Sequence, residues 1–339
     1  MNKVYILGAG ASAGYDKSKV SLCPPTSRDF FQRAMDLIDD KEKESFEEQR
    51  FQNLFKYLDK YYSLKKEDLR IKDIDIEEVL TILDLETSEN EFNEARRELL
   101  EMVYLTLNEI LYGERCPYHK KLIENLKSTD TIITFNWDLL LDNIFSEKED
   151  IPNYKYKFSK YYQNGKWENF NSITYSNSPA LIKLHGSLNW MKCNDCEKDY
   201  CYILSGKVAA DQIINPEDTK TKCPECDKKM EPIIIPPTLA KKYKSKVFDE
   251  LWKEALNALK DASEIVIIGY SLPITDFRVK WLFMKSVAMR KKPIEKLTLV
   301  DKYPDNLCDK YKNLFRINDD KFICIKGGIK EYTNMYDRV

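Results

Sequence analysis

Six short, mostly apolar segments restrict the fold of this chain more than any other feature. They are Val4–Leu7, Thr131–Thr134, Leu181–Leu184, Ile265–Ile268, Leu297–Val300 and Phe322–Ile325. Helical patterns at Lys246–Lys260 and Asp276–Arg290 separate the later segments. Short apolar strands that alternate with helices are typical of a parallel sheet covered by helices on both faces. The sequence therefore predicts an α/β protein built on a Rossmann-like, doubly wound parallel sheet.

Residues 27–127 have a different character, because this stretch contains a single glycine and its apolar residues recur at helical spacing. Two stripes of this kind are Phe51, Leu54, Phe55 and Leu58, and Ile76, Val79, Leu80 and Leu83. Apolar residues three and four positions apart lie on one face of a helix. We expect a helical insertion over residues 27–127. This insertion and a second excursion over residues 191–231 leave residues 1–26, 128–190 and 232–339 as the sheet-forming core.

Charge and hydropathy argue against two classes of partner. The 339 residues include 54 Lys and Arg against 56 Asp and Glu, a formal charge of −2. This balance offers no positive surface for a polyanion, so direct nucleic-acid binding is not expected. No apolar run approaches the ~18 residues that a membrane span needs, and the N-terminal apolar run is too short for a signal peptide. We expect a cytoplasmic protein without membrane association, whose nine cysteines are not disulfide-bonded.

Four of the cysteines form two C-x-x-C pairs, Cys193 with Cys196 and Cys223 with Cys226. Two such knuckles supply four thiolates, which match the tetrahedral coordination of zinc. We predict a structural Zn²⁺ site in a small module over residues 191–231, because four sulfur ligands leave no open position for catalysis. Cys201 is close enough in sequence to compete for the ion, whereas the other cysteines show no pairing pattern.

The first apolar segment runs directly into the motif G-A-G-A-S at residues 8–12. Glycines after a strand let the backbone approach a pyrophosphate, whose oxygens accept hydrogen bonds from backbone N–H groups. The same residues would also form a tight turn, so the motif alone leaves both interpretations open. An NAD dehydrogenase is disfavoured, because Pro24 and Pro25 interrupt the region where it would place a second strand and an acidic residue.

Polar residues follow the second and third segments, at the sheet edge where α/β proteins bind ligands. Asn136 and Asp138 are suited to hold a water molecule or a ribose hydroxyl, but taken alone the pattern favours the N-cap of a helix over Leu139–Phe145. His185 suits a general base near neutral pH, or a histidine satisfied within the core. His119 lies in a polar connector and is expected to be structural.

Two later segments are also followed by candidate ligand groups. Gly269 and Ser271 form a second loop that would permit close approach of a ligand. Asp301 ends a predicted strand with a carboxylate that suits the two hydroxyls of an adenosine ribose. Either feature would also serve as an ordinary turn or cap.

Taken in order, these motifs resemble the sirtuin family. The order is G-A-G-A-S, N-x-D, H-G, two C-x-x-C pairs, G-x-S-L and a strand ending in V-D, over residues 1–25 and 130–301. The resemblance implies one sirtuin-like domain over residues 1–339, with NAD bound between a Rossmann-like core and a zinc module. By this resemblance the NAD phosphates would be bound by Gly8, Ala9, Gly10 and Ser12. The nicotinamide side would lie against Asn136 and Asp138, and His185 would be the base. The adenosine half would be held by Gly269, Ser271 and Asp301.

Two departures distinguish the chain from sirtuin deacylases. Phe135 stands where they usually carry glutamine, and the run Glu231–Thr238 replaces the strand with which they dock an acyl-lysine peptide. Together with the helical insertion and the H-G-S motif that Trp190 follows, these features are similar to the sirtuin-like NAD hydrolases of bacterial antiphage defence.

That resemblance implies cleavage of NAD to nicotinamide and ADP-ribose, and depletion of NAD as the outcome. In the implied mechanism Asn136 positions water, His185 accepts a proton and Asp138 orients the departing carboxamide. The alternatives are an NAD-dependent lysine deacylase and a non-catalytic sensor of NAD or ADP-ribose. Because an enzyme that drains NAD needs control, we expect a homo-oligomer or a separately encoded helicase-like ATPase or sensor partner. Residues 27–127 are the candidate surface for it, unless they form only a lid.

Overall fold

The computed structural model describes residues 2–39, 48–85, 90–145, 152–169, 178–203, 222–235 and 246–338. The strands in these ranges are β1 (Lys3–Leu7), β2 (Thr131–Thr134), β3 (Lys160–Gln163), β4 (Lys166–Asn169), β5 (Ala180–Lys183), β6 (Gly186–Cys193), β7 (Lys198–Tyr202), β8 (Glu231–Ile234), β9 (Glu264–Ile268), β10 (Lys296–Asp301) and β11 (Phe322–Lys326).

The α-helices in the same ranges connect and cover these strands. They are α1 (Ala9–Ser12), α2 (Phe30–Ile38), α3 (Gln52–Tyr62), α4 (Ile76–Leu85), α5 (Asn90–Leu111), α6 (Pro117–Glu124), α7 (Leu140–Phe145), α8 (Lys246–Asp261), α9 (Phe277–Met289), α10 (Asp305–Phe315) and α11 (Ile329–Asn334). Within the described part of the chain, none of these helices combines the length and the hydropathy needed to cross a membrane.

The larger sheet has six strands in the order β11-β10-β9-β1-β2-β5, and every neighbouring pair is parallel. The strand order reverses at β1, which lies between β2 and β9. Doubly wound sheets bind ligands at the carboxyl ends of the strands beside such a reversal. Because β1 and β9 end at Leu7 and Ile268, the loops that begin at Gly8 and Gly269 lie at this edge. The predicted Rossmann-like parallel sheet is confirmed.

The two C-x-x-C pairs lie in or next to the strands of a second sheet. Its five strands lie in the order β4-β3-β7-β6-β8, and β6 begins at Gly186, directly after His185. The sheet is larger than the module expected over residues 191–231, since β3, β4 and the first half of β6 precede that range. These strands extend the hydrogen-bonded ladder on both sides of β7. The predicted boundaries between the core, the insertion and the module remain a prediction.

Helices α2–α5, within residues 27–127, share a core with the second sheet, whereas Leu122 of α6 belongs to the core of the larger sheet. In its described part this stretch contains α2–α6 and no strand, and both apolar stripes are largely buried, with Leu58 and Leu80 fully so. One hydrophobic core contains side chains from these helices together with Met191, Tyr200 and Tyr202 of the sheet. The larger sheet has its own core. The insertion and the second sheet therefore bury their apolar faces against each other.

Two cysteines without a sequence signal meet at the edge of the larger sheet. Cys308 on α10 and Cys324 on the edge strand β11 are free thiols whose Sγ atoms lie 2.6 Å apart. The sequence predicts no pairing for either residue, because the contact depends on how α10 folds back along β11.

Candidate functional site

The glycines after β1 and β9 bring two loops into backbone contact. The N–H of Gly8 donates to the carbonyl of Ile268 (3.1 Å), and that of Gly10 donates to the carbonyl of Gly269 (2.9 Å). A Cβ atom on Gly8 would lie 2.5 Å from the Gly269 oxygen, and one on Gly269, whose φ is +61°, would lie 2.3 Å from the nitrogen of Ala11. The glycines are thus required for loop–loop packing, and two of the N–H groups expected to bind phosphate already have acceptors.

Asn136, Ser12 and Asp138 form one hydrogen-bonded chain beside these loops. The Asn136 amide nitrogen donates to the carbonyl of Gly8 (2.9 Å) and to the Ser12 hydroxyl (2.8 Å). The Ser12 hydroxyl in turn donates to Oδ2 of Asp138 (2.6 Å), while Oδ1 accepts from the backbone N–H of Leu140 (3.0 Å). Asp138 therefore caps α7, as one interpretation of the sequence predicted, and also holds Ser12.

A buried ion pair is connected to this hydrogen-bonded chain through the backbone of Asp138. Lys183, which is 1% exposed, donates to the backbone carbonyl of Asp138 (2.6 Å) and to the Asp142 carboxylate (2.9 Å). Asp142 also accepts a hydrogen bond from the Tyr154 hydroxyl. This network was not predicted, although a lysine inside the apolar run Leu181–Leu184 is a visible signal in the sequence. The network ties the tip of β5 to the loop after β2.

His185 lies at the tip of β5 in an aromatic pocket. Its ring centroid is 5.2 Å from that of Phe135, and Phe135 stacks on Tyr270 at 4.2 Å. Burial lowers the pKa of His185, Asp276 opposes this effect and Arg278 adds to it. The imidazole is therefore neutral near pH 7 and able to accept a proton.

His119, the second histidine, lies on α6, close enough to Asp138 for that carboxylate to oppose the effect of burial on the pKa of His119. It is buried, and its Nδ1 is 3.0 Å from Cys116 Sγ. Burial lowers the pKa of His119 as well.

Asp276 is an acidic neighbour of His185 that the sequence did not identify as a site residue. It is the N-cap of α9, where its side chain accepts from the N–H of Val279, and it also accepts from the Tyr270 hydroxyl (2.5 Å). Its Oδ2 lies 3.6 Å from Nε2 of His185. The signal in the sequence was an aspartate before a helix, which by itself indicates only a cap.

Ser271 and Asp301 lie at the same edge of the sheet but outside this network. Ser271 is exposed, and its backbone carbonyl accepts from Lys310 Nζ (2.9 Å). Asp301 is half-buried at the end of β10, and its carboxylate accepts from the N–H of Tyr303 (2.8 Å). Among the described residues, no hydrogen bond joins either one to Asn136 or His185. Their roles toward the adenosine half of NAD, like that of Ala9 at the start of α1 toward phosphate, remain predictions.

The four cysteines of the C-x-x-C pairs converge at one point. The sulfur atoms of Cys193, Cys196, Cys223 and Cys226 lie within 4.8 Å of one another. Cys193 is 3.5 Å from Cys226 and Cys223 is 3.9 Å from Cys196, close to the ~3.8 Å edge of a tetrahedron with Zn–S bonds of about 2.3 Å. The donor set and spacing fit zinc. Cys201 lies outside the cluster, near Asn189, so it does not compete for the ion.

Comparison with known families identifies this arrangement. The SIR2-like domain model matches residues 130–318, more than half of the chain. The chain belongs to the SIR2-like domain family. In this SIR2-like protein the matched region includes Asn136, His185, both knuckles and Asp301, whereas the G-A-G-A-S loop and the whole of residues 27–127 precede it. The predicted relationship to sirtuins is confirmed, and NAD-dependent activity is what the family implies. No curated protein matches the chain.

Solved Sir2 structures are similar to this SIR2-like protein at low identity. A Sir2 homologue mutant in complex with ADP-ribose is 14% identical, with a TM-score of 0.44, and the match covers 99% of this chain and 90% of that one. A Sir2 complex with a p53 peptide and NAD⁺ is also 14% identical, with a TM-score of 0.44 and coverage of 99% and 92%. A structure described under the mechanism and regulation of Sir2 enzymes is 16% identical, with a TM-score of 0.47 and coverage of 98% and 89%.

Proposed function

We propose that this SIR2-like protein is an NAD hydrolase, which cleaves the nicotinamide–ribose bond of NAD to give nicotinamide and ADP-ribose. The observation that carries the proposal is the placement of Asn136, Asp138 and His185 at the carboxyl ends of the adjacent strands β2 and β5. β2 is the neighbour of β1 at the β1–β9 reversal and β5 is the next strand, and a dinucleotide binds at such a reversal in sheets of this order.

Each of the three side chains has a defined task in such a reaction. Both N–H groups of the Asn136 amide are engaged, so its Oδ1 is the atom left to accept a hydrogen bond from the attacking water. As the C–N bond breaks, its electron pair leaves with neutral nicotinamide, and the water oxygen bonds to the anomeric carbon. Neutral His185 takes the water proton. The half-buried Asp138 orients the carboxamide of the leaving group and lies near the positive charge that develops on the ribose.

Two features favour water over acyl-lysine as the acceptor. The Phe135 ring occupies the space between Tyr270 and His185, which places an apolar group where deacylases resembling this chain carry glutamine. The start of the run that replaces their peptide-docking strand, Glu231–Ile234, is the edge strand β8 and pairs with β6. Residues 236–238 of that run lie outside the described part of the chain.

The biological setting we propose is antiphage defence by NAD depletion in the cytoplasm. A hydrolase of this kind must be inactive at rest, so we propose control by a homo-oligomer or by a separately encoded helicase-like ATPase or sensor. Residues 27–127 are the proposed contact surface. Zinc is proposed to hold the two knuckles together and to take no part in the chemistry.

The test is nicotinamide release from NAD alone and from NAD with an acetyl-lysine peptide. Release from NAD alone is expected, and Asn136→Ala or His185→Ala should lower it at least about 100-fold, since each removes a group that acts in the transition state. Asn334→Ala, at the exposed end of α11 and outside residues 27–127, is the matched control and should retain full activity. Release that requires the peptide would indicate a deacylase, and NAD binding without release under all conditions would indicate a sensor.

A further inference from the structure

We propose that Asp276 is a positioning residue for His185, stabilising the imidazolium that forms when His185 takes up a proton and leaving Nδ1 as the nitrogen that exchanges it. The inference rests on the proposed hydrolase for its kinetic consequence. Its electrostatic part concerns two side chains of the free protein and can be tested separately.

The two side chains are buried together. The His185 side chain is 6% exposed and that of Asp276 is 2% exposed, with 3.6 Å between Nε2 and Oδ2. This separation is too long for a hydrogen bond but within the range of an ion pair. Contacts between catalytic groups are often long in the free enzyme and shorten when substrate is bound.

Asp276 is held in this place by contacts on two sides. Its Oδ1 accepts from the N–H of Val279 (3.3 Å) at the start of α9, and its Oδ2 accepts from the Tyr270 hydroxyl (2.5 Å). The two donors, the Val279 N–H at the helix N-terminus and the Tyr270 O–H, both point at the carboxylate oxygens. The carboxylate therefore cannot turn away from His185 without losing two hydrogen bonds.

The other ionisable groups around the pair do not supply the same charge. Arg278 is cationic and lowers the pKa of His185, and Tyr270 stays protonated because burial raises its pKa far above the ordinary value. Glu77, on α4 of the helical insertion, has a buried Oε2 without a partner among the described residues. Burial, then Asp75 and Asp276, raise the pKa of Glu77 to about 8, so Glu77 is uncharged near neutral pH. Among the described residues that influence His185, Asp276 is thus the acidic group that faces its ring.

The consequence is a stronger base. Burial alone favours neutral imidazole, so a proton that His185 accepts would be an uncompensated charge in an apolar pocket. Asp276 offsets that cost and raises the pKa of His185 relative to what burial would set. Without the carboxylate, His185 would remain neutral to lower pH and accept a proton less readily.

The direct test is a histidine NMR titration of wild type and Asp276→Asn. The chain has two histidines, so His119 serves as an internal reference, and asparagine preserves the helix cap. We expect the His185 midpoint in the variant to move to lower pH by about one pH unit or more, and the His119 midpoint to stay in place. An unchanged His185 midpoint would overturn the proposal, whatever the activity.

Tyr270→Phe provides the opposite perturbation. It removes a hydrogen bond from the Asp276 carboxylate but keeps the charge, so the His185 midpoint should hold or move to higher pH. A fall like that of Asp276→Asn would contradict the proposal and point to general loosening of the pocket. This variant also keeps the test decisive if Asp276→Asn does not fold.

Kinetics connect the pair to the reaction. In Asp276→Asn, kcat should fall at least about tenfold with KM for NAD little changed, and the acidic limb of the pH profile should move to lower pH with the His185 midpoint. The sign follows because activity requires neutral His185 and is lost as pH falls through its pKa. A moved midpoint with unchanged kcat would reject the role of Asp276 in catalysis. Absence of hydrolysis in wild type, with the midpoint moved, would reject the proposed function and leave the electrostatic pairing supported.

Discussion

At the residue scale, the buried pair of Lys183 and Asp142 supports the loop that carries Asn136 and Asp138. Replacing Lys183 with methionine keeps the volume but leaves Asp142 as a buried charge without its cation. We expect Lys183→Met to lower the free energy of unfolding by about 3–5 kcal/mol, measured by urea denaturation. Lys166→Met removes a 3.0 Å ion pair with Glu168 whose lysine is 71% exposed, and should cost less than about 1 kcal/mol. Equal losses in the two variants would show that the Lys183 pair has no special role.

Asp301 is a second single-residue feature, and it bears on the preference for NAD over NADP. If its carboxylate binds the ribose diol, it repels the additional phosphate of NADP, and NAD should be the preferred substrate by tenfold or more, since about 1.4 kcal/mol is one factor of ten. Asp301→Asn should narrow that preference, mainly by weakening NAD. The measurement is the ratio of kcat/KM for the two dinucleotides. The bond from the Tyr303 N–H to Asp301 suits a purely structural turn as well, and equal use of NAD and NADP by the wild type would support the turn.

At the element scale, each C-x-x-C knuckle forms a tight turn. The residues that follow, Glu197 and Asp227, both adopt left-handed backbone conformations, with φ of 52° and 59°. We expect one zinc ion per chain by metal analysis, and loss of the metal with a large drop in melting temperature in Cys223→Ser. Cys23→Ser changes an exposed cysteine outside the cluster and should keep both metal and stability. Protein purified without chelator that lacks zinc would contradict this assignment.

At the scale of the whole molecule, the insertion and the second sheet share one hydrophobic core. Cys193 and Cys223 belong to that core together with Leu58 of α3 and Val103 of α5. Removing the metal should therefore raise hydrogen–deuterium exchange in α3 and α5 as well as in β6 and β7, while β9 and β10 stay protected. Adding zinc back should restore protection. Exchange that increases in the knuckles alone would mean that the metal stabilises only its own turns.

The two-core arrangement also places the insertion at the site. Glu77, in the first turn of α4, lies close enough to Asp276 for that carboxylate to raise the pKa of Glu77. A partner or second copy that shifted these helices would therefore alter the surroundings of His185 directly. This gives the proposed control surface a physical route to the chemistry.

Local patterns in the sequence were sufficient to predict all six strands of the larger sheet to within one residue at either end, but not the strands of the second sheet. Thr131–Thr134 is β2 residue for residue, and Lys246–Lys260 differs from α8 by one residue. Apolar segments of this length, closed by turn residues, have few other stable conformations once helices separate them. The clustering of the four cysteines was predicted for a similar reason, because the spacing within each pair already forms a knuckle.

Tertiary structure alone decided which of these loops meet and what their polar groups do. Ser12 bonds to Asp138 across 126 positions of sequence, and His185 is paired with an aspartate that the sequence presents only as a helix cap. Gly8 and Gly10, whose motif resembles a phosphate-binding loop, pack against the neighbouring loop at Gly269. The reason is that strand order determines which strand ends are adjacent, and strand order depends on long-range pairing and burial that no local window of sequence contains.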